Sequence, residues 1–169
     1  AIDWCVENSS VYNISVISLS LGTTSLYEEY CDSTFADTLS LSVNNATLYN
    51  VSVIAAAGNT GNLTSIASPA CIFNATAVGA VNKTDSLIYS RNKLVDLFAP
   101  GVSINSTSSL CLSGCACNGE YMTCSGTSMA TPIVSGEFAL IRQFYELNSS
   151  QILTPVEIES LLKKMNNAL

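Results

Sequence analysis

The heptapeptide GTSMATP, residues 126–132, places a small hydroxyl side chain between a glycine and a long apolar stretch. Apolar residues recur after it at helical spacing, which predicts a helix from Ser128 to about Leu147. Ser128 would then lie in the first turn, where unpaired N–H groups and the positive end of the helix dipole favour negative charge. This position suits a serine that attacks an acyl group and generates an oxyanion. The simpler alternative is a serine that only caps the helix, which contributes about 1 kcal/mol.

The predicted helix carries apolar residues on two sides, so we expect it to be largely buried. Pro132 falls at the edge of its first turn and provides no N–H for the carbonyl of Ser128. The two apolar stripes comprise Met129, Ile133, Leu140, Phe144 and Leu147, and Val134, Phe138, Ile141 and Tyr145.

The chain upstream of this helix reads as alternating strands and helices. Residues 14–19 and 51–57 have the composition of strands covered on both faces, and residues 36–49 between them have a helical pattern. Such a unit is a right-handed crossover between parallel strands. The sequence therefore predicts one α/β domain over residues 1–169, with a mostly parallel sheet flanked by helices on both faces. Further strands are predicted near 76–81, 87–90, 94–97 and 102–105.

A final helix is predicted after Thr154, which would cap it, with Pro155 and Glu157 in its first turn. The apolar residues expected to dock this helix are Leu153, Val156, Ile158, Leu161, Leu162 and Met165.

Asn59 is a second candidate for the site. It follows Gly58 directly after the predicted strand 51–57, at the carboxyl end of a parallel strand, where ligands bind in open α/β sheets. A side-chain amide offers neutral N–H donors to a developing oxyanion. Without Ser128 elsewhere in the chain, an ordinary Gly-Asn turn would be the better explanation of the pair.

Several further segments follow one another in a characteristic order along the chain. They are VISLSLG at 16–22, VIAAAGN at 53–59, SPA at 68–70, AVGAV at 77–81, VDLFAPGV at 95–102 and, last, GTSMATP at 126–132. Together they resemble the corresponding segments of the subtilisin-like serine proteases (subtilases, peptidase family S8). The resemblance implies a subtilisin-like fold and a serine endopeptidase that acts on extended peptides.

The same resemblance implies the role of each site residue. Ser128 would be the nucleophile, and Asn59 would donate its amide to the oxyanion. No cofactor is required, and no metal ligand is predicted. Asp96 could contribute to a weak cation site of the kind found in some subtilases, but packing or a loop-anchoring hydrogen bond explains Asp96 better. A structural calcium ion is thus an alternative that this segment does not support. The substrate contacts implied by the resemblance are Ser20, Leu21, Gly22, Ala56, Gly58 and Thr127, with close packing as the alternative for Ala56.

The chain contains no histidine. A serine hydroxyl needs a base at neutral pH, and the family uses a histidine held by an aspartate. We therefore expect this chain to be the C-terminal portion of the catalytic domain, incomplete at its N-terminal side and inactive alone, with the aspartate and histidine on an upstream segment that would also be its partner. The alternative is a catalytically inactive subtilase-like domain that serves as a cell-surface binding or structural module.

Composition narrows the partners and the compartment. The net charge of −7, with six Lys and Arg residues in total, disfavours nucleic acid, and no apolar run is long enough to predict a membrane span. Nine Asn-x-Ser/Thr sequons, well above the chance expectation for this composition, predict an exported glycoprotein, either extracellular or at the cell surface. The sequon asparagines are Asn8, Asn13, Asn45, Asn50, Asn62, Asn74, Asn82, Asn105 and Asn148.

The seven cysteines support the same compartment. Four of them lie within residues 111–124, which in an exported chain predicts a disulfide-stapled loop. Three pairings are possible among four cysteines, and the sequence does not separate them. A zinc site is the weaker alternative, because the spacing contains no paired Cys-x2-Cys motif.

Overall fold

A computed structural model describes residues 1–32, 38–89, 92–108 and 110–166. Helices and short strands alternate along the first two thirds of the chain, and two helices close it. In chain order the elements are α1 Ile2–Glu7, α2 Ser9–Tyr12, β1 Val16–Leu19, β2 Leu26–Tyr27, α3 Thr38–Leu48, β3 Ser52–Ala56, β4 Ile66–Ala67, β5 Ala75–Val81, β6 Leu87–Ile88, β7 Leu97–Pro100, β8 Ile104–Thr107, β9 Ala116–Asn118, β10 Tyr121–Cys124, α4 Thr127–Ser149 and α5 Pro155–Asn166.

The main sheet is parallel along the path β1, β3, β5 and β7, and the short β6 pairs antiparallel with the end of β5. Ile17 pairs with Val53 across β1 and β3, and Val78 pairs with Leu97 across β5 and β7. Among the described residues, β1 pairs with β3 alone, so its other edge is free. The predicted mostly parallel α/β sheet is confirmed.

Side chains of β3 alternate between two apolar layers, as the pleat of a strand requires. Val53 and Ala55 belong to a cluster on one face, together with Val43 of α3. Ile54 belongs to a cluster on the other face, together with Phe138 of α4. All five residues of β3 are buried, which explains why its sequence is apolar throughout rather than alternating. Helices therefore cover both faces of the sheet, as predicted.

Two predicted strands lie a few residues away from the observed ones. The strand expected at 94–97 is Leu97–Pro100, because residues 92–95 form a turn in which Asn92 Oδ1 accepts the N–H of Leu94 at 2.6 Å. The strand expected at 102–105 is Ile104–Thr107, because Ser103 has a left-handed backbone. Residues 36–37 of the predicted helix and residue 90 of a predicted strand lie outside the described residues.

The prediction that α4 is buried on two sides is wrong for one side. Val134 and Phe138 are buried against the sheet, whereas Leu140, Phe144 and Leu147 are 60–77% exposed. In α5, Ile158 and Leu162 dock as predicted, together with Leu153 just before the helix, but Val156 and Met165 are exposed. Apolar spacing identifies the candidate stripes of a helix, yet the neighbouring elements decide which stripe is covered.

The predicted start of α5 is confirmed in atomic detail. Glu157 Oε2 accepts hydrogen bonds from the N–H and the hydroxyl of Thr154, both at 2.8 Å, and the Glu157 N–H donates to Thr154 Oγ1 at 3.3 Å. These hydrogen bonds lower the pKa of the Glu157 carboxyl. The reciprocal pair is a capping box that satisfies helix donors.

Lys163 anchors the far half of α5 to the sheet. Its Nζ donates to Asp96 Oδ1 and to Glu159 Oε1, each at 2.7 Å, and Asp96 Oδ2 accepts the N–H of Ala77 in β5 at 2.8 Å. Burial raises the pKa of the Asp96 carboxyl, and repulsion from the nearby Glu159 carboxylate, which shares Lys163 with Asp96, raises it further. Partial burial lowers the pKa of Lys163, but its two hydrogen bonds outweigh burial and raise it. The structure thus gives Asp96 an anchoring role.

Replacing Lys163 by glutamine should destabilise the fold by about 1–2 kcal/mol near neutral pH, because a mostly buried carboxylate loses its cation while the lysine itself is partly exposed. A raised lysine pKa contributes stability that is present below the unfolded value of about 10.4 and is lost as pH rises through the folded value. Urea unfolding should therefore show a larger difference in stability between K163Q and wild type at pH 7 than at pH 11.5. The exposed Lys164 provides the control K164Q. A K163Q effect that does not change with pH would contradict this account.

Six cysteines form three disulfides, Cys31–Cys71, Cys111–Cys117 and Cys115–Cys124. The last two connect β9, β10 and the segment that precedes β9. Together with β8 these strands form an antiparallel three-stranded sheet that the sequence did not predict beyond β8. Because the four clustered cysteines are all oxidised, they offer no thiolates to zinc, and the zinc alternative is not supported. Cys5 in α1 is a free thiol.

Candidate active site

The segment that carries the predicted nucleophile contacts the predicted oxyanion donor where α4 begins beside the carboxyl end of β3. Gly126 precedes α4, and its N–H donates to the Gly101 carbonyl at 2.8 Å. A Cβ atom on Gly126 would lie 2.9 Å from Asn59 Nδ2 and 3.4 Å from Asn59 Oδ1. Glycine therefore permits the Asn59 amide to approach the backbone immediately before Ser128.

Hydrogen bonds fix the orientation of the Asn59 side chain. Its Oδ1 accepts the backbone N–H of Thr127 at 2.8 Å and the Thr127 hydroxyl at 3.0 Å. A backbone N–H can only donate, so the atom facing it must be the oxygen, and Nδ2 must face the other way. Asn59 is exposed, and its Nδ2 makes no hydrogen bond to the described residues. Two N–H donors thus remain available next to the serine segment.

Thr127 is a buried residue whose hydrogen bonds connect the start of α4 to Gly58 and Asn59. It is 1% exposed, and its Oγ1 accepts the N–H of Gly58 at 3.2 Å while donating to Asn59. The buried side chain therefore positions Gly58 and Asn59, and the substrate contact of Thr127 stays a prediction. Sequence reasoning missed this role, since a threonine beside a serine gives no sign of which neighbour it contacts.

Ser128 and Ser20 exchange two hydrogen bonds. Ser128 Oγ donates to the Ser20 carbonyl at 3.1 Å, and Ser20 Oγ donates to the Ser128 carbonyl at 2.8 Å. The second bond satisfies the Ser128 carbonyl, because Pro132, four residues later, has no N–H to donate to it. Pro132 is the sequence signal from which an outside donor could have been predicted.

If the full-length protein hydrolyses peptides, as the resemblance to subtilases implies, Ser20→Ala should lower its kcat by about two- to tenfold with little change in KM, because one net hydrogen bond of about 0.5–1.5 kcal/mol no longer positions the backbone of Ser128. Steady-state kinetics on a peptide measure the split. Ser20→Thr retains the hydroxyl and should retain most of the activity, and Ser18→Ala on the same strand is a control. A rise in KM with constant kcat would instead assign Ser20 to substrate binding.

The remaining predicted substrate contacts lie beside this centre. Ser20, Leu21 and Gly22 follow β1, and all three are exposed, with Leu21 60% exposed. A Cβ on Gly22 would lie 3.2 Å from Ala67 Cβ and 3.9 Å from the Ala56 carbonyl oxygen. Ala67 Cβ is also 3.4 Å from the ideal Cβ position of Gly58. Ala56 and Ala67 are 2–3% exposed, so close packing explains their small size. Gly22 and Gly58, which lie next to Ala67, are more accessible to solvent than these two alanines.

The arrangement provides a nucleophile with an oxyanion donor next to it, but not a base. The Ser128 hydroxyl donates to a backbone carbonyl, and no acidic or basic side chain of the described residues hydrogen-bonds to it. The base therefore has to come from outside these residues if acyl transfer takes place.

A parallel sheet that presents a serine at a helix start and an amide at a neighbouring strand end is typical of serine hydrolases. The model of the subtilase family matches residues 1–168. The thermostable alkaline protease of Halalkalibacterium halodurans is 34% identical over 146 residues, which are 85% of this chain and 34% of that protein. Subtilisin E of Bacillus subtilis is 37% identical over 145 residues, 83% of this chain and 32% of that protein. The chain belongs to the subtilase family.

Solved structures agree with this assignment. A cold adapted subtilisin-like serine proteinase superposes with a TM-score of 0.71 at 33% identity, over 96% of this chain and 51% of that one. The prenylagaramide maturation protease PagA gives a TM-score of 0.70 at 28% identity, over 99% of this chain and 55% of that one. The chain thus spans about half the length of these structures and about a third of the two curated relatives.

Within the described ranges, we find no helix with both the length and the apolar character that a bilayer crossing requires.

Proposed function

We propose that this chain is the part of a subtilisin-like serine endopeptidase that carries the nucleophile and the oxyanion donor. The observation that carries the proposal is the pair of hydrogen bonds from Thr127 to Asn59 Oδ1, which leave Asn59 Nδ2 free beside Ser128. Membership of the subtilase family supports the reaction class.

The steps of peptide hydrolysis are assigned to Ser128, Asn59 and a base as follows. Ser128 Oγ attacks the carbonyl carbon of the scissile bond, and its proton passes to a base. Asn59 Nδ2 and the backbone N–H of Ser128 hold the resulting oxyanion. The C–N bond then breaks, the amine leaves with the proton, and water hydrolyses the acyl-enzyme. The proposed reaction uses no cofactor.

The base is proposed to be a histidine, oriented by an aspartate, from sequence beyond these 169 residues. Two surfaces support a partner segment of the same domain. The free edge of β1 presents unpaired backbone groups, which favour pairing with another strand. On α4, Leu140, Phe144 and Leu147 form an exposed apolar stripe of the kind that marks an interaction surface.

The proposed substrate is an extended peptide or protein segment. Ser20, Leu21 and Gly22 continue from the edge strand β1, so their backbone can pair with a peptide by strand addition. We further propose that the protein acts outside the cell or at its surface. Three disulfides support this location, and relatives named as extracellular proteases include that of Thermus sp., which is 38% identical.

A fluorophosphonate probe tests the proposal on the full-length protein. We expect covalent labelling at Ser128, identified by mass spectrometry, and loss of labelling in S128A. A folded full-length protein that is not labelled would favour the second candidate, an inactive domain that binds partners at the cell surface. The absence of histidine from this chain is the observation behind that candidate. An upstream Asp-Thr/Ser-Gly segment followed by His-Gly-Thr-His would support the peptidase.

A further inference from the structure

The nine sequon asparagines differ in the hydrogen bonds that their side chains make. Asn8, Asn74 and Asn148 use Nδ2, the nitrogen that carries an N-linked glycan, to donate hydrogen bonds within the protein. The side chains of Asn62, Asn82 and Asn105 bond only through Oδ1. Nδ2 of these three makes no hydrogen bond to the described residues, so a sugar attached there would break no hydrogen bond.

The loop that contains Asn62 is locally well ordered by these bonds. Asn62 Oδ1 accepts the N–H of Thr64 at 2.8 Å, the hydroxyl of Thr64 at 3.2 Å and the N–H of Ser65 at 3.2 Å. The carbonyl of Thr64 accepts a hydrogen bond from Asn92 Nδ2, which ties the loop to the body of the domain. Because Oδ1 is turned inward by three donors, Nδ2 points away from the turn.

The same loop borders the proposed substrate cleft at both of its ends. It starts after Asn59 and ends at Ala67, which packs against Gly22 and Gly58. Asn62 follows Asn59 by three residues, so their Cα atoms are at most about 11 Å apart. A Cβ on Gly61 would have no atom within 4 Å, and Leu63 is 62% exposed, so there is open space around the loop.

We propose that Asn62 carries an N-linked glycan at the rim of the cleft, and that this glycan favours flexible peptides over folded proteins as substrates. The second half rests on the proposed peptidase function. In the modification, Nδ2 displaces the diphosphate of a lipid-linked oligosaccharide at the anomeric carbon, so a C–N bond replaces a C–O bond and Nδ2 gives up one proton. The bulky glycan then narrows the approach to Ser128 from the Asn59 side.

Occupancy is tested on the full-length protein secreted from a host with N-glycosylation. An amidase that releases N-glycans converts each occupied asparagine to aspartate, and mass spectrometry of the fragment containing Asn62 detects the change. Thr64→Val removes the sequon while leaving Asn62, both backbone donors and the Thr64 carbonyl in place. We expect conversion of Asn62 in wild type and none in T64V. An unmodified Asn62 in wild type overturns the proposal.

The effect on substrates is tested by kcat/KM for a folded protein relative to a short peptide. T64V should raise this ratio about fivefold, because the bulky group is removed, and leave peptide hydrolysis unchanged. Thr84→Val removes the equivalent sequon at Asn82, in the turn between β5 and β6, and should leave the ratio unchanged. An occupied Asn62 with no change of ratio in T64V overturns the shielding role. A protein without peptidase activity overturns the proposed function and the shielding role with it, while occupancy is still read by mass.

Discussion

Ser128→Ala in the full-length protein should abolish peptide hydrolysis, with a loss of kcat on the order of 10⁶-fold, as found when a subtilisin loses its nucleophile. The residual rate would reflect oxyanion stabilisation and binding alone. Stability should change little, because Ser128 donates one hydrogen bond, to the Ser20 carbonyl at 3.1 Å, and that pair is exposed. Steady-state hydrolysis of a chromogenic peptide and thermal unfolding measure the two effects separately.

The matched control for S128A is Ser125→Ala, three residues earlier in the same segment. Ser125 is exposed, and its Oγ accepts the N–H of Ser103 at 2.9 Å, so this change tests whether disturbing the segment is enough to stop the reaction. We expect S125A to retain most of the activity. An active S128A protein would overturn the assignment of the nucleophile.

Asn59→Ala should lower kcat by about 10²–10³-fold with KM nearly unchanged, which is the range reported when a subtilisin loses its oxyanion asparagine. The donor acts on charge that develops in the transition state, so its loss affects kcat rather than substrate binding. Steady-state kinetics on the full-length protein again give both parameters.

Asn59→Asp separates the two functions of this side chain. A carboxylate still accepts the hydrogen bonds that Thr127 now donates to Oδ1, but it has no N–H for an oxyanion and adds a negative charge. We expect N59D to fold normally and to be at least as slow as N59A. Activity close to wild type in N59D would show that Asn59 positions the serine segment without donating to the reaction.

The parts of the fold that depend on local pattern could be predicted from the sequence. The apolar run of β3 reflects burial on both faces, and Thr154 with Glu157 specifies a capping box without help from distant residues. Strand ends were less accurate, because Asn92 forms a side-chain turn that delays β7 to Leu97. Such a turn depends on one hydrogen bond that periodicity does not reveal.

Long-range contacts account for what the sequence did not predict. The pairing of Cys115 with Cys124 depends on how β9 and β10 fold back, which cysteine spacing leaves open. At the site, Ser128 and Asn59 are predictions from residue types, position and the resemblance to subtilases. The hydrogen bond from Ser20, which lies 108 residues from Ser128, was not predicted. Pro132 has no N–H, so the sequence indicates that the Ser128 carbonyl needs another donor. The fold decides that this donor is the Ser20 hydroxyl.

The narrow space at position 126 has a practical consequence for engineering. Any side chain there would begin 2.9 Å from Asn59 Nδ2, and the neighbouring Gly101 is equally confined, with a Cβ position 2.7 Å from the Gly126 carbonyl oxygen. Mutant libraries aimed at new cleavage preferences should therefore keep both glycines fixed. Random changes are better made at Leu21 and Leu63, whose side chains are 60% and 62% exposed.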